Sequence, residues 1–226
     1  MVLTGAGISA ESGLKTFRDA DGLWEGHDVM EVASPQGFAK NPELVLDFYN
    51  QRRRQLFAVE PNAAHACLAD LEAHFDVDII TQNVDDLHER AGSSNVLHLH
   101  GELLKARSVA NEDHVLLWKS DLNLGDLCAN GHQLRPHIVW FGEQVPLLEK
   151  AVEITEKAEI VIIIGTSMQV YPAAGLINFV APGRPIYFVD PKPSVSNSEY
   201  GNLIIIQKTA VNGLPTLISD LIDTVL

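Results

Sequence analysis

Six short, continuous apolar runs alternate with helical patterns along this chain, and that alternation leaves few architectures open. The runs cover residues 1–3, 77–80, 96–99, 160–164, 186–189 and 203–206. Apolar residues at helical spacing predict helices over 42–59, 62–74, 85–91, 147–157, 173–180 and 214–226. Strands apolar on both faces and separated by helices belong to a parallel sheet covered on both sides. The fold class is therefore α/β: a Rossmann-like parallel sheet with helices on both faces, plus a smaller lobe formed by two insertions. A single domain over 1–226 is expected, with a large lobe of about 1–21, 60–105 and 139–226 and a small lobe of about 22–59 and 106–138. The first run is short for a sheet strand, which leaves room for residues before Met1.

That first run leads into Gly5-Ala6-Gly7-Ile8-Ser9-Ala10, a strand-turn-helix pattern of the dinucleotide-binding type with alanine as its third small residue. Gly5 is expected to permit a tight turn, Gly7 to let backbone approach a pyrophosphate, and Ala10 to let the helix pack on its strand. The start of that helix would offer unpaired N–H groups to phosphate. Polar segments follow the other strands as well. They are Thr81-Gln82-Asn83-Val84-Asp85, His100-Gly101-Glu102, Gly165-Thr166-Ser167, Asp190-Pro191-Lys192-Pro193 and Gln207-Lys208-Thr209-Ala210. In an open parallel sheet these carboxyl ends lie along one edge, where ligands bind.

A dehydrogenase is argued against by what is missing. The usual dinucleotide fold sets a second strand soon after the first helix, ending in an acid for the adenosine ribose. Here the chain runs through Lys15-Thr16-Phe17-Arg18-Asp19 and Gly22-Leu23-Trp24 into a helical insertion, and Asp19 and Asp21 have no apolar strand to carry them. That long polar loop reads as a cover for a bound cofactor, with Phe17 and Arg18 at its reactive end. A net charge of −14 opposes binding to nucleic acid or acidic membranes. Two cysteines, Cys67 and Cys128, make no disulfide framework, and no apolar run approaches the roughly 20 residues of a membrane span. A cytoplasmic, monomeric protein is the expectation.

Taken together, Gly5-Ala6-Gly7-Ile8-Ser9, Thr16-Phe17-Arg18, Gln82-Asn83-Val84-Asp85, His98-Leu99-His100-Gly101, Val139-Trp140-Phe141-Gly142-Glu143 and Gly165-Thr166-Ser167 resemble the signature set of sirtuins, the NAD-dependent protein lysine deacylases. The resemblance spans essentially the whole chain in the correct order, and it is nearest to bacterial members of the desuccinylase and demalonylase class. It implies that NAD is consumed as co-substrate, that acylated lysine side chains of proteins are the partners, and that His100 is the catalytic base. A histidine titrates in the range that suits this role near neutral pH, and Gly101 beside it would leave room for substrate. His98 reads as structural. Asn83 and Asp85 would bind nicotinamide and its ribose, although Asp85 also suits a helix cap. Further cofactor contacts are implied at Gly5, Ala6, Gly7, Ser9, Ala10, Glu11, Thr16, Phe17, Arg18, Asp19, Trp24, Gln82, Val84, Gly165, Thr166, Ser167, Asp190, Pro191, Lys192 and Ala210. Val139, Phe141 and Gly142 match the strand along which substrate peptide adds by backbone pairing.

Tyr49 and Arg52 lie three apart in a predicted helix, hence on one face. A guanidinium paired with a phenol can grip a carboxylate, and this spacing resembles the sirtuin pattern that favours succinyl- and malonyl-lysine. Arg53 and Arg54 are expected on a solvated face. Many sirtuins hold a structural zinc on four cysteines, but here residues 106–135 contain only Cys128, with Ser108 about where a first ligand would stand. No metal is expected. Val115, Leu116, Leu117, Trp118, Leu122, Leu124 and Leu127 are expected to hold the small lobe instead, and Cys67 to lie in the core. Two other functions stay open on the same fold, a non-catalytic NAD or ADP-ribose sensor and a mono-ADP-ribosyltransferase.

Overall fold

The structure is a computed structural model that describes residues 1–15, 23–196 and 200–224. The chain enters on strand β1 (Val2–Thr4) and short helix α1 (Ala6–Ala10), then forms a hairpin of β2 (Leu23–Trp24) and β3 (His27–Asp28). Helices α2 (Val29–Val32), α3 (Pro35–Lys40), α4 (Pro42–Leu56) and α5 (Ala63–Leu71) follow. Next come β4 (Ile79–Thr81), α6 (Leu87–Ala91) and β5 (Val96–His98). A second sheet is built from β6 (Gly101–Ser108), β7 (Val115–Leu117) and β8 (Leu134–Ile138). The chain closes with α7 (Leu148–Lys157), β9 (Val161–Ile164), a 3₁₀ helix (Ala173–Phe179), β10 (Ile186–Val189), β11 (Leu203–Ile206) and α8 (Ala210–Asp223).

The main sheet is parallel throughout, in the order β11-β10-β9-β1-β4-β5. From the central β1 the chain first builds outward through β4 and β5, then returns to the other side for β9, β10 and β11. This reversal opens a crevice at the carboxyl ends of β1 and β9, the place where such folds take ligands. Side-chain alternation sends Val2, Ile79, Ile162 and Ile164 to one face, beneath α5 and α8, where Leu68, Leu214 and Leu217 meet them. Leu3, Ile80, Ile163 and Phe188 point to the other face, toward Ala151 of α7 and Leu176 of the 3₁₀ helix. Both faces are covered, so each strand reads as continuously apolar. All six predicted strands are present in this sheet.

Two differences have physical causes. Helix α8 was expected from 214, just before Pro215, but it begins at Ala210 and carries Pro215 inside. Glu11, beyond the end of α1, accepts from Thr209 Oγ1 and from the Val211 backbone N–H, both at 3.1 Å, and so holds the added first turn. Gly213 in that turn packs so closely on β10 that a Cβ would stand 2.6 Å from Val189 Cγ1. The antiparallel β6–β8 sheet was not predicted as strands. Its cluster contains Leu122, Leu134, Ala106, Cys128 and Leu46, with Phe38, Leu116 and Trp118 packed against them. Of the residues expected to hold this region, Leu122, Leu116 and Trp118 do so, whereas Val115, Leu117, Leu124 and Leu127 are exposed. Cys67 packs against the core under α5 and α8. Among the described residues, no helix is long and apolar enough to cross a membrane.

Candidate active site

The crevice between β1 and β9 is closed at its base by three glycines. Gly7 N–H donates to Gly165 O at 2.7 Å, and a Cβ on Gly7 would lie 2.6 Å from Gly165 Cα. A Cβ on Gly165, whose φ is +58°, would fall 2.5 Å from Ile8 N. Gly5 is equally tight against Gly165 O and Thr166 Cβ, both 2.8 Å from its own would-be Cβ. So Gly7 is demanded by backbone packing between two loops, whatever ligand it also approaches. Ala10 corrects the expectation for the third small residue: it is exposed rather than packed on the strand, and Ile8 and Ser9 make that contact. Ala6 is exposed too, which leaves α1 presenting a face of small residues to the crevice rim.

Beneath this rim lies a buried polar network. Ser9 Oγ donates to Asp85 Oδ2 at 3.0 Å and accepts from Asn83 Nδ2 at 3.2 Å. Asn83 Nδ2 also donates to Gly5 O, so both its amide protons are engaged and Oδ1 is its remaining polar atom. Asp85 Oδ1 accepts from the Leu87 backbone N–H from one residue before the N-cap of α6, which is Asp86 and not Asp85 as the sequence suggested. Burial raises the Asp85 carboxyl to about 6 against the opposing pull of its Leu87 and Ser9 bonds. Thr4 Oγ1 donates to Thr81 Oγ1, and His88 Nε2 lies 3.0 Å from Thr4 Oγ1. His65 sits below Ser9 and meets His88 edge to face at 5.0 Å. Burial lowers His65 to about 4 and His88 to about 3, so both rings are neutral near pH 7. The sequence reading missed His65 and His88. Asn62 with His65 does form a capping box at the start of α5, a pattern legible beforehand.

His100 occupies the turn between β5 and β6 and is half-buried. Its Nδ1 lies 3.0 Å from Gln82 O. A carbonyl oxygen only accepts, so Nδ1 carries the proton and Nε2 keeps a lone pair. Burial lowers its pKa below the ordinary value, partly offset by the Gln82 bond. Gly101, expected to make room for substrate, is required for another reason. With φ at +82°, its missing Cβ would stand 2.0 Å from His137 O, where β8 crosses the start of β6. His98 is buried, with Nδ1 against Asn83 O and Nε2 against Glu89 Oε1, so both ring nitrogens are engaged within the chain.

Val139, Phe141 and Gly142 do not form a strand: they follow β8 in a turn, where Val139 N–H donates to His100 O and Phe141 N–H to Ala33 O. The turn is fastened by Glu143, which accepts from Arg135, Arg107 and the Trp140 backbone N–H. Arg135 lies over the Trp140 ring at 3.4 Å, and Trp140 Nε1 donates to Tyr49 Oη at 2.9 Å. Tyr49 is buried, and accepting from Trp140 leaves its own proton to donate. Arg52, one turn along α4, rests on the Phe48 ring and pairs with Glu25 at 2.8 Å. Arg53 departs from its expected solvated face. It is 1% exposed, with Nε donating to Leu103 O and Nη1 to Asn50 Oδ1. Arg54 is exposed beside Asp47 and Asp121.

On the far side of the crevice, Thr166 Oγ1 accepts from Gln82 Nε2 and from the Met168 backbone N–H, and Ser167 O accepts from Ser194. Asp190 is buried and its Oδ1 accepts from Lys192 N–H, which shapes the Asp190-Pro191-Lys192 turn. Ala210 is buried at the start of α8. Trp24 packs edge-on against Phe48, and Val84 O accepts from Leu103 N–H. Thr16, Phe17, Arg18 and Asp19 lie outside the described residues. Cys128 Sγ lies 3.6 Å from Ser108 Oγ, and among the described residues no group of three or more His, Cys, Asp or Glu is arranged to hold a metal ion.

Residues 5–172 match the family model described as the Sir2 family. A protein named NAD-dependent protein deacylase from Helicobacter pylori (strain ATCC 700392 / 26695) is 60% identical over 223 residues, covering 99% of this chain and 97% of its own. A protein of the same name from Bacteroides thetaiotaomicron is 51% identical, covering 96% of this chain and 95% of its own. A Sir2 homologue solved as an NAD complex superposes with a TM-score of 0.89 at 39% identity, covering 100% of this chain and 90% of that one. A Sir2 structure with p53 peptide and NAD⁺ gives 0.79 at 30% identity, covering 97% and 91%. With three-quarters of its length inside the family model and relatives this close along nearly all of it, the chain belongs to the Sir2 family.

Proposed function

We infer that this chain is an NAD-dependent protein lysine deacylase that removes succinyl and malonyl groups as well as acetyl, releasing nicotinamide and O-acyl-ADP-ribose. The observation that carries the reading is the state of His100: Nδ1 is committed to Gln82 O, and burial keeps the ring neutral with Nε2 free to take a proton. The relatives named as deacylases, and the neighbours solved with NAD and with peptide, support the same reaction class.

NAD, consumed as co-substrate, supplies the ribose carbon that the acyl oxygen attacks as nicotinamide leaves. The chain's own residues fit such a guest. The small-residue rim of α1 admits close approach, Asn83 Oδ1 can accept from the nicotinamide amide, and the Asp85 carboxylate can hold ribose hydroxyls. Gly165, Thr166, Ser167, Asp190, Pro191, Lys192 and Ala210 border the other side of the crevice, toward the adenosine end. With NAD bound, His100 Nε2 would take the proton from a ribose hydroxyl as that oxygen adds to the acyl carbon, and a water would then be consumed in releasing the lysine amine and leaving the acyl group on the ribose. The turn carrying Val139, Phe141 and Gly142 flanks His100 through the Val139 bond and is the surface offered to the peptide backbone. For a dicarboxylic acyl group, Arg52 supplies the charge and Tyr49 a donated proton at its far end. We assign the work to a monomer acting on proteins in the cytoplasm.

The test is mass spectrometry of one peptide carrying acetyl-, succinyl- or malonyl-lysine, incubated with NAD and either wild type or His100→Ala. Wild type should unmask the amine and release nicotinamide one for one, and the variant should lose this by about 10²-fold or more. Nicotinamide release with label left on protein would point instead to ADP-ribosyl transfer. No release with any peptide would reject the enzyme.

A further inference from the structure

Arg52, which the proposed function sets against the acyl carboxylate, already has a carboxylate beside it. Glu25 Oε1 lies 2.8 Å from Arg52 Nη1, and the two side chains are 17% and 14% exposed. Lys15, 66% exposed, reaches Glu25 Oε2 at 3.2 Å from outside. The inner contact is an approach of charges without an aligned hydrogen bond: Glu25 Oε1 and Arg52 Nε are both buried, and neither has a hydrogen-bond partner among the described residues. A guanidinium offers its strongest grip when two adjacent N–H groups meet two carboxylate oxygens in parallel. Arg52 is held well below that limit.

The backbone at Glu25 adds a second observation. Glu25 and Gly26 are the two residues linking β2 to β3, with φ of +52° and +84°. Two-residue hairpin loops with both φ values positive favour Asn, Asp or Gly, because longer side chains are disfavoured in the left-handed region. A glutamate stands there against that preference. The hairpin is anchored on α4 by Trp24, whose ring meets Phe48 at 5.0 Å and Tyr49 at 6.5 Å. Glu25 is thereby carried to the same end of the Tyr49 and Arg52 face. Burial pushes its carboxyl up, but the neighbouring positive charges of Arg52 and Lys15 outweigh this and hold it below the ordinary carboxylate range. It is charged throughout the neutral range.

We propose that Glu25 is a resident carboxylate that occupies Arg52 until a succinyl or malonyl group displaces it, and that it thereby sets how strongly dicarboxylic acyl-lysines are preferred over acetyl-lysine. The proposal rests on the reading of Arg52 as the acyl-carboxylate grip. Its logic is exchange. A half-buried guanidinium with no partner is costly, so with acetyl-lysine in place Glu25 stays and the cation remains paired. A dicarboxylic acyl group brings its own carboxylate, takes Nε together with an Nη in the aligned form, and releases Glu25 toward Lys15 and solvent. Ease of displacement, not the presence of Arg52 alone, then decides the preference.

The experiment is steady-state kinetics at saturating NAD with acetyl and succinyl forms of one peptide. The proteins are wild type, Glu25→Gln, Glu25→Asn, Arg52→Met and the double variant Glu25→Gln/Arg52→Met. Glu25→Gln keeps the size and removes the charge, and Glu25→Asn removes the charge with a residue that tolerates positive φ, so a fold defect cannot pass for the effect. Either should lower KM for the succinyl peptide roughly three- to tenfold, leave its kcat and both acetyl constants within about twofold, and do nothing when Arg52 is Met. An unchanged or raised succinyl KM would overturn the proposal, the latter making Glu25 a support for Arg52. An equal gain for both acyl groups would also overturn it. If Arg52→Met damages acetyl and succinyl turnover equally, the carboxylate grip itself is wrong. If Arg52→Met is selective while Glu25→Gln is silent, only the displacement falls.

Discussion

Gly101→Ala tests whether the glycine after His100 serves the substrate or the backbone. Its φ of +82° lies in the left-handed region, where a Cβ costs about 1–2 kcal/mol. The added atom would also stand 2.0 Å from His137 O and 2.9 Å from His137 C. Both are main-chain atoms of a paired strand, so no side chain can swing aside, and overpacking of this kind costs about 1–3 kcal/mol more. The sum is about 3 kcal/mol, which for a chain of this size lowers the melting midpoint by about 6–12 °C. Thermal unfolding followed by circular dichroism gives that number directly. The same distortion pulls on the His100 turn, so kcat should fall with stability. If instead the variant melts within about 2 °C of wild type and shows only a raised peptide KM, the glycine is there to admit substrate and the packing argument is wrong.

Asp85 gives the chain a stability that falls with rising pH. Its folded pKa of about 6 exceeds the unfolded value of 3.8, so between these the native state holds a proton that the unfolded chain has released. Stability from this group is full below about pH 4 and lost through pH 6, by about 3 kcal/mol in all, and chemical denaturation of Asp85→Asn should lack that component. A slope unchanged in the variant would assign it to other groups. Arg53→Ala should cost about 3 kcal/mol, since it strips Leu103 O and Asn50 Oδ1 of a buried donor, whereas Arg54→Ala should stay within about 0.5 kcal/mol. Equal effects in urea titration would place both on the surface.

What was readable in advance, and what was not, follows from where each signal resides. A strand covered on both faces, such as Val161–Ile164, announces itself because every side chain is apolar. Strand β8, Leu134-Arg135-Pro136-His137-Ile138, reads as a loop because an arginine, a proline and a histidine interrupt it. It is a strand only because Glu143, beyond its end, pairs with Arg135 and with Arg107 of β6, and because β8 is bonded to β6 alone and so tolerates a proline. Arg53 was misread for a related reason. Its type suggests solvent, while its spacing of four from Tyr49 and eight from Val45 puts it on the buried stripe of α4. Position should have outweighed type there.

The candidate site shows the same division more sharply. Each polar segment after a strand was visible locally, and the parallel sheet brings those segments to one edge. Their chemistry is set by partners that no spacing reveals. Ser9 was read as facing a ligand's oxygens; its hydroxyl donates to Asp85 and accepts from Asn83, with His65 Nε2 at 3.5 Å, so it also braces those two side chains. Glu11 likewise turned out to hold the start of α8. Side chains that appear to be ligand contacts in the sequence thus also serve as supports for their neighbours within the chain. His100 is the clearest instance. Histidine supplies the range of pKa, but the carbonyl of Gln82 selects which nitrogen is bare, and the base role proposed for the residue depends on that choice.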